Sequence, residues 1–96
     1  MSRSTTFKFR LYLAGDTRNS MLALANLSAL CEARLPKRHK IEVVDVLRDP
    51  KRALAEGIFM TPTLVKLAPS PVQKIVGTLA ELGRVLQGVG LRAPIA

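Results

Sequence analysis

The 96 residues fit one domain and leave no room for two, since typical domains hold roughly 100 to 150 residues. Apolar residues make up 48% of the chain, which suffices for a core and excludes a disordered protein. No run approaches the ~20 apolar residues of a membrane span. The formal net charge of +8 predicts attraction to something acidic: nucleic acid, a membrane surface or an acidic protein face.

Cysteine usage and the N-terminus bear on location. The single cysteine, Cys31, cannot form an internal disulfide, which favours a reducing compartment. Residues 1–6 are polar and lack the apolar stretch of a signal peptide. We therefore expect a cytoplasmic protein with no membrane association. Nucleic-acid binding is disfavoured, because few aromatic side chains are available for stacking on bases. These are Phe7, Phe9, Tyr12 and Phe59.

Two strand patterns flank the first half of the chain. Residues 7–14 alternate apolar and polar side chains, so that Lys8, Arg10 and Tyr12 point away from the apolar set. Residues 41–47 are rich in β-branched side chains and predict a buried second strand. With a long helix between them, a right-handed parallel βαβ unit is the natural arrangement.

The intervening helix is predicted to begin at Thr17 or Asn19 as the cap and to end before Pro36. Its apolar stripe consists of Leu24, Leu27, Cys31 and Leu35. Leu22 and Leu30 lie away from that stripe. We expect these two leucines either to pack under another element or to form part of a self-association interface.

The second half predicts a short helix and a hairpin. Asp49 followed by Pro50 is a helix start, and the helix over residues 51–56 stops at Gly57. Residues 63–67 and 72–76 are strand candidates, and the prolines between them belong in the connection because proline cannot donate to a ladder.

The last predicted element is a helix that opens with a capping box, Thr78 and Glu81. Its apolar stripe contains Leu79, Leu82, Leu86 and Val89. Gly83 and Gly88 in its interior each cost about 1 kcal/mol relative to alanine, which makes this helix locally weak. The complete order is β-α-β-(α)-β-β-α, an α/β fold of the thioredoxin-like type. We expect a flexible N-terminus over 1–6, one domain over 7–91 and a tail over 92–96.

Four segments resemble the motifs of KaiB proteins in order and at family spacing. Residues 11–20 (LYLAGDTRNS) are similar to LYVAGxTxxS, and residues 44–50 (VDVLRDP) to IDVLKNP. Residues 60–64 (MTPTL) resemble ATPTL, and residues 71–77 (PVQKIVG) resemble the PPVRRIIGD stretch. Each motif is weak by itself, but together they cover most of the chain.

The resemblance implies a non-enzymatic circadian-clock protein that binds the hexameric ATPase KaiC and modulates its phosphorylation cycle. It also implies a KaiA-like protein or a sensor kinase as further partners, and no cofactor. Two folds are implied as well: a ground state that self-associates, and a thioredoxin-like state that binds KaiC, differing in the C-terminal half. The switch region then comprises Gly77, Thr78, Gly83 and Gly88. A fold switch requires two packings that differ by only a few kcal/mol.

Partner contacts are assigned by this resemblance to basic side chains that would meet acidic groups on the ATPase: Arg10, Lys40, Arg48 and Lys74. The family's RR pair is Gln73 and Lys74 here, and Leu22 and Thr78 also replace charged family residues. The partner is therefore a divergent KaiC or a different protein; in the second case this chain would be a thioredoxin-like adaptor or a stress-response protein. The bond between Thr61 and Pro62 is expected to be cis, as in thioredoxin-like domains, and its cost at X–Pro is only about 0.5–1 kcal/mol.

Thiol chemistry is the competing enzymatic hypothesis. The two thioredoxin cysteine positions correspond to Thr17 and Ser20, whose hydroxyls ionise far too weakly to act as redox nucleophiles. Cys31 lies on the apolar helix stripe and is interpreted as a structural side chain, with a single-cysteine redox protein as the alternative. His39 has no second histidine or nearby cysteine, so the sequence predicts no metal site.

Overall fold

The computed structural model describes residues 6–77, which form four strands and two helices. The elements are β1 (Phe7–Leu13), α1 (Arg18–Arg34), β2 (His39–Asp45), α2 (Pro50–Ala55), β3 (Thr63–Ala68) and β4 (Gln73–Val76). Their order confirms the predicted β-α-β-α-β-β succession. The predicted last helix with Thr78, Gly83 and Gly88, the tail over 92–96 and most of the N-terminal segment lie outside the described residues.

The sheet has the strand order β2-β1-β3-β4. β1 and β2 are parallel, with Phe7 opposite His39 and Leu13 opposite Asp45. β3 runs antiparallel to both β1 and β4. The strand–helix–strand unit and the hairpin are therefore both present as predicted, and β1 occupies the interior of the sheet, as its apolar sequence requires.

α1 covers one face of the sheet and builds the larger of two apolar clusters. Its helix face contributes Ala23, Leu27, Leu30 and Cys31, which pack with the apolar side chains of β1 and with Leu64 of β3. Leu30 thus packs under the sheet, which is the first of the two predicted alternatives. Leu22 stays exposed, and Leu24 is only partly buried at the rim of the cluster.

α2 and the loop that follows it cover the opposite face. There Tyr12 and Val65 pack against Ala53 and Ile58. Tyr12 points away from the apolar set of β1, as predicted, but the second layer buries its side chain completely. Near the C-terminal end of β1, side chains on both faces of the strand are therefore buried. They belong to two different apolar clusters, one on each face of the sheet.

β2 departs from its predicted burial. It begins earlier than expected, at His39, and only Val44 is buried in it. Val43 is 45% exposed, and Leu47 lies beyond the strand at 71% exposure. These side chains are exposed because β2 is an edge strand and has a neighbouring strand on one side only. The sequence of β2 is rich in β-branched residues, like that of a central strand, so composition alone predicted a buried strand.

Thr17 is the cap of α1. Its hydroxyl accepts from the Ser20 amide at 3.3 Å and donates to Ser20 Oγ at 2.8 Å, while Ser20 Oγ accepts from the Ala14 amide at 3.1 Å. The Gly15 amide donates to Asp45 Oδ1 at 3.0 Å. These bonds fix the β1–α1 turn, in which Gly15 has a φ of 62°.

The peptide bond between Thr61 and Pro62 is cis, as are Ala68–Pro69 and Ser70–Pro71 in the hairpin connection. Pro62 is buried, and its carbonyl accepts from the Gly77 amide at 2.9 Å. This bond joins the start of β3 to the end of β4. Gly77 has a φ of 120°, a conformation that L side chains rarely adopt.

A candidate protein-binding surface

The sheet face under α2 carries a chain of ion pairs, which we call the ionic face. It consists of the charged side chains Arg10, Glu42, Arg52, Glu56 and Lys74. Arg10 Nε lies 2.8 Å from Glu42 Oε1, and Arg10 Nη1 lies 2.7 Å from Glu56 Oε1. Arg52 Nη2 lies 2.6 Å from Glu42 Oε2. Arg10 therefore links the sheet to the segment after α2.

Titration behaviour on this face follows from those contacts. Hydrogen bonds from Arg10 and Arg52 lower the pKa of Glu42. The pKa of Glu56 is lowered by hydrogen bonds from the Tyr12 hydroxyl and from Arg10. The pKa of Arg10 is raised by its bonds to both glutamates. Burial and the bond to Glu56 raise the pKa of Tyr12. All these groups keep their ordinary charges at neutral pH.

The structure brings two of the four predicted partner residues together. Lys74 Nζ donates to the backbone carbonyl of Glu56 at 2.6 Å, and Arg10 holds the carboxylate of the same residue. Lys40 lies farther along β2, opposite Lys8 of β1. Arg48 lies in the turn after β2, on the rim of an open cleft of about 610 Å³ that Gly15 and Asp45 also line. Arg10 and Lys74 thus form one group, and Lys40 and Arg48 lie apart from it.

An exposed apolar loop borders Lys74. Phe59 is 86% exposed and Met60 is 62% exposed, and Val76 of β4 adds to the same patch. A shallow pocket of about 140 Å³ lies between these side chains and Lys74. A solvent-exposed phenylalanine beside a second large apolar residue is the kind of feature that marks an interaction surface.

Backbone bonds hold this apolar loop in place. The amide of Ile58 donates to the Ala53 carbonyl at 2.9 Å, and the Thr63 hydroxyl donates to the Met60 carbonyl at 2.6 Å. Ile58 itself is anchored in the core. Phe59 is therefore presented to solvent by a segment fixed on both sides, which reduces the entropy cost of binding a partner.

The positions of thioredoxin chemistry hold a helix cap. Thr17 and Ser20 bond to each other and to the backbone. Burial, with a smaller contribution from Glu32, raises the pKa of the Cys31 thiol to about 11. Cys31 is wholly enclosed in the core, so the thiolate needed for thiol exchange does not form at neutral pH.

The described residues contain neither a cluster of metal ligands nor a membrane-spanning helix. Within residues 6–77, no three side chains of the histidine, cysteine, aspartate and glutamate types are grouped so that they could hold a metal ion. Neither α1 nor α2 is long and apolar enough to cross a membrane. The two surface features described for residues 6–77 are thus the ionic face and the exposed apolar loop beside Lys74.

Two features of the surface were missed by sequence reasoning. Glu42 and Glu56 complete the ionic face, and only Glu42 had a readable signal, since it alternates with Lys40 in β2. Phe59 and Met60 could have been found because the apolar run of residues 58–60, between Gly57 and Thr61, belongs to no periodic pattern. Glu56 could not have been found from the sequence, because it contacts Arg10, which lies 46 residues away along the chain.

Comparisons with known proteins place the chain in a family. The KaiB domain model matches residues 10–91. The circadian clock oscillator protein KaiB of Prochlorococcus marinus (strain MIT 9313) is 43% identical over 91 residues, which are 95% of this chain and 76% of that protein. The circadian clock protein KaiB3 of Synechocystis is 39% identical over 82 residues, covering 85% of this chain and 80% of that protein.

Solved structures show the same fold at low identity. The N-terminal domain of Synechococcus elongatus SasA aligns with a TM-score of 0.74 at 17% identity, over 100% of this chain and 94% of that one. Chloroplastic thioredoxin z aligns with a TM-score of 0.70 at 21% identity, over 88% and 79%. The fold is therefore thioredoxin-like, and the chain belongs to the KaiB family, whose curated relatives are circadian clock proteins.

Proposed function

We propose that this chain is a non-enzymatic clock or clock-like protein that binds a KaiC-type hexameric ATPase in the cytoplasm and modulates its phosphorylation cycle. The observation that carries the proposal is the family match over residues 10–91. The buried Cys31 and the helix cap at Thr17 and Ser20 support a role without thiol catalysis. A KaiA-like protein or a sensor kinase would be a further partner of the same complex.

The contact surface in this proposal is the apolar loop with the adjoining end of β4. Phe59 and Met60 supply apolar area, and Lys74 supplies a positive charge beside them. Binding energy at interfaces is concentrated in a few anchors, aromatic ones among them, that become desolvated within a rim of polar groups. Phe59 fits that description, since it is the most exposed of the large apolar side chains within residues 6–77.

Charge contributes mainly to the rate and selectivity of association. With a net charge of +8, the chain is drawn to an acidic face on the ATPase, and Arg48, in the turn after β2, is a second positive group apart from Lys74. Binding should therefore weaken as salt rises, because rim charges are screened at ionic strengths above ~0.1 M.

The test is a binding titration of the whole chain against the KaiC-type ATPase of the same organism, loaded with ATP or with ADP. We expect a saturable complex in at least one nucleotide state. Phe59→Ala should weaken it by about tenfold or more, as expected for an aromatic anchor. The absence of a complex in every nucleotide state would contradict the proposal and favour an adaptor with a different partner.

A matched pair of charge reversals separates the contact surface from general electrostatics. Arg48→Glu and Lys37→Glu change the net charge equally, but Arg48 lies in the turn after the C-terminal end of β2 and Lys37 in the turn before the N-terminal end of the same strand. We expect Arg48→Glu to lower affinity in a salt-dependent manner, and Lys37→Glu to have a smaller effect. Equal effects would show that only the net charge matters.

A further inference from the structure

Two lysines lie side by side near the N-terminal end of the parallel strand pair. Lys8 of β1 is opposite Lys40 of β2 in the register. Neighbouring strands lie about 4.8 Å apart, and residues opposite each other point to the same face of the sheet. Both lysines are exposed, and they share the sheet face that carries Arg10 and Glu42. Like charges at this separation repel each other, so the pair favours a bound anion.

The charges of these two lysines are not compensated by the acidic side chains around them. Neither Lys8 nor Lys40 makes an ion pair within the described part of the chain. Glu42 follows Lys40 on the same face of β2, but both of its carboxylate oxygens are occupied. Oε1 lies 2.8 Å from Arg10 Nε, and Oε2 lies 2.6 Å from Arg52 Nη2. The two ammonium groups therefore remain free to bind an anion.

A pocket of about 240 Å³, which we call the lysine pocket, is lined by both lysines, by Arg10 and by Leu67 of β3. The register of β1 against β3 shifts between Lys8 and Phe9, so that Leu67 is an extra residue of β3 beside Lys8. Bulges of this kind are common next to binding sites, where they re-aim a side chain. Leu67 packs against the apolar cluster on the α2 face. The lysine pocket thus has an apolar wall on its β3 side and positive charge toward β2.

We propose that the lysine pocket binds a small-molecule phosphate monoester, with the phosphoryl group between Lys8 and Lys40 and the organic group against Leu67. A phosphate monoester carries a charge of about −1.5 to −2 at pH 7 and three strong acceptor oxygens, which match two ammonium groups. Lysine binds phosphate as a point charge, without a fixed fork geometry. The volume of about 240 Å³ is below the roughly 300–1,000 Å³ of sites that enclose a whole ligand. The pocket therefore admits the phosphoryl group and the atoms next to it.

The lysine pocket is separate from the apolar loop of the proposed ATPase contact. Lys8 lies near the N-terminal end of β1, whereas the apolar loop precedes Thr63, which is opposite Tyr12 near the other end of β1. Phe59→Ala should therefore weaken the ATPase complex and leave phosphate binding unchanged. Loss of one kind of binding is thus distinguishable from loss of the other.

The test is a titration of the isotope-labelled whole chain with phenyl phosphate, followed by amide chemical shifts at constant ionic strength. At about pH 7.5 the probe is a dianion, since the second pKa of such esters is near 6. We expect saturable binding with a dissociation constant on the order of 1–10 mM, because exposed ion pairs are individually weak. The shifts should centre on residues 8–10, 40–42 and 67.

Two matched probes test the charge and the apolar wall. Benzenesulfonate keeps the ring and three oxygens but carries a single charge, so it should bind at least about fivefold more weakly than phenyl phosphate. Inorganic phosphate lacks the ring and should also bind more weakly, since it leaves Leu67 uncovered. Equal affinity for benzenesulfonate would overturn the pairing of a dianion with two lysines. Equal affinity for inorganic phosphate would overturn the role of Leu67.

Removal of single charges identifies the residues that bind. Lys8→Gln and Lys40→Gln should each weaken phenyl phosphate binding by about fivefold or more, because each removes one of two charged donors. Lys51→Gln removes the same charge from the exposed surface of α2, outside the lysine pocket, and should change affinity by less than about twofold.

Both pocket variants relieve the repulsion between the lysines, so their free energy of unfolding in urea should equal or exceed that of the parent. Weaker binding by a variant of undiminished stability therefore reports on the pocket and not on the fold. The absence of saturable binding by the parent chain would overturn the proposal. Equal weakening by Lys51→Gln would also overturn it, since the net charge of +8 would then account for the attraction.

Discussion

Replacing Glu56 by alanine tests how the ionic face supports the fold. The Glu56 carboxylate accepts hydrogen bonds from Arg10 and from the Tyr12 hydroxyl. Tyr12 is wholly buried, so losing its acceptor costs about 1–3 kcal/mol. Arg10 keeps Glu42, and the Glu56 side chain is 28% exposed, so the lost ion pair adds about 0.5 kcal/mol. We expect a loss of about 2 kcal/mol, a large part of a typical 5–15 kcal/mol.

The assay is urea unfolding followed by circular dichroism, since the chain has no tryptophan. Tyr12→Phe removes only the hydroxyl and should cost about 1 kcal/mol. Glu42→Ala is the control for a half-exposed partner and should cost less than about 1 kcal/mol. In the double variant of Tyr12 and Glu56, the two losses should fall short of additivity by about 1 kcal/mol. A Glu56→Ala variant within about 0.5 kcal/mol of the parent would refute the reasoning.

Three further outcomes are expected. The pKa values of Glu42 and Glu56 are lowered on folding, so their contribution to stability is complete above the unfolded value of about 4.3 and is lost as pH falls through the lower folded values. Glu56→Gln should flatten that acid-side decline in the urea midpoint, and an unchanged decline would contradict this linkage. The Cys31 thiol should react with a thiol reagent only on unfolding, and rapid labelling of the native protein would show that it is accessible. Phe59→Ala should leave the free energy of unfolding within about 0.5 kcal/mol, because the side chain is exposed; a larger loss, measured in urea, would mean that it packs in the fold.

The element order was predictable because its signals are local. Alternation identified β1, the proline at Pro50 marked the start of α2, and the proline-containing connection separated β3 from β4. Burial was less predictable, since it depends on which elements cover a strand. Val43 and Leu47 look like core residues from composition, yet they are exposed because β2 lies at the edge of the sheet.

The candidate surface was predictable only in part, and for a similar reason. Arg10 and Lys74 were identified individually as basic side chains, but their common contact with Glu56 joins β1, the end of α2 and β4. Such long-range pairings follow from sheet order and register, which no local pattern contains. Phe59 carried a readable signal, because a large apolar pair in a loop between a glycine and a proline has no periodic partner.

The most direct test of the central claim is hydrogen exchange of the whole chain, alone and with the KaiC-type ATPase of the same organism. Binding through the apolar loop and the end of β4 should slow exchange of the amides at residues 57–60 and 73–76. The turn at residues 35–38, at the opposite edge of the sheet, should be unaffected. Slowing confined to that turn, or no change anywhere at saturating ATPase in either nucleotide state, would contradict the account.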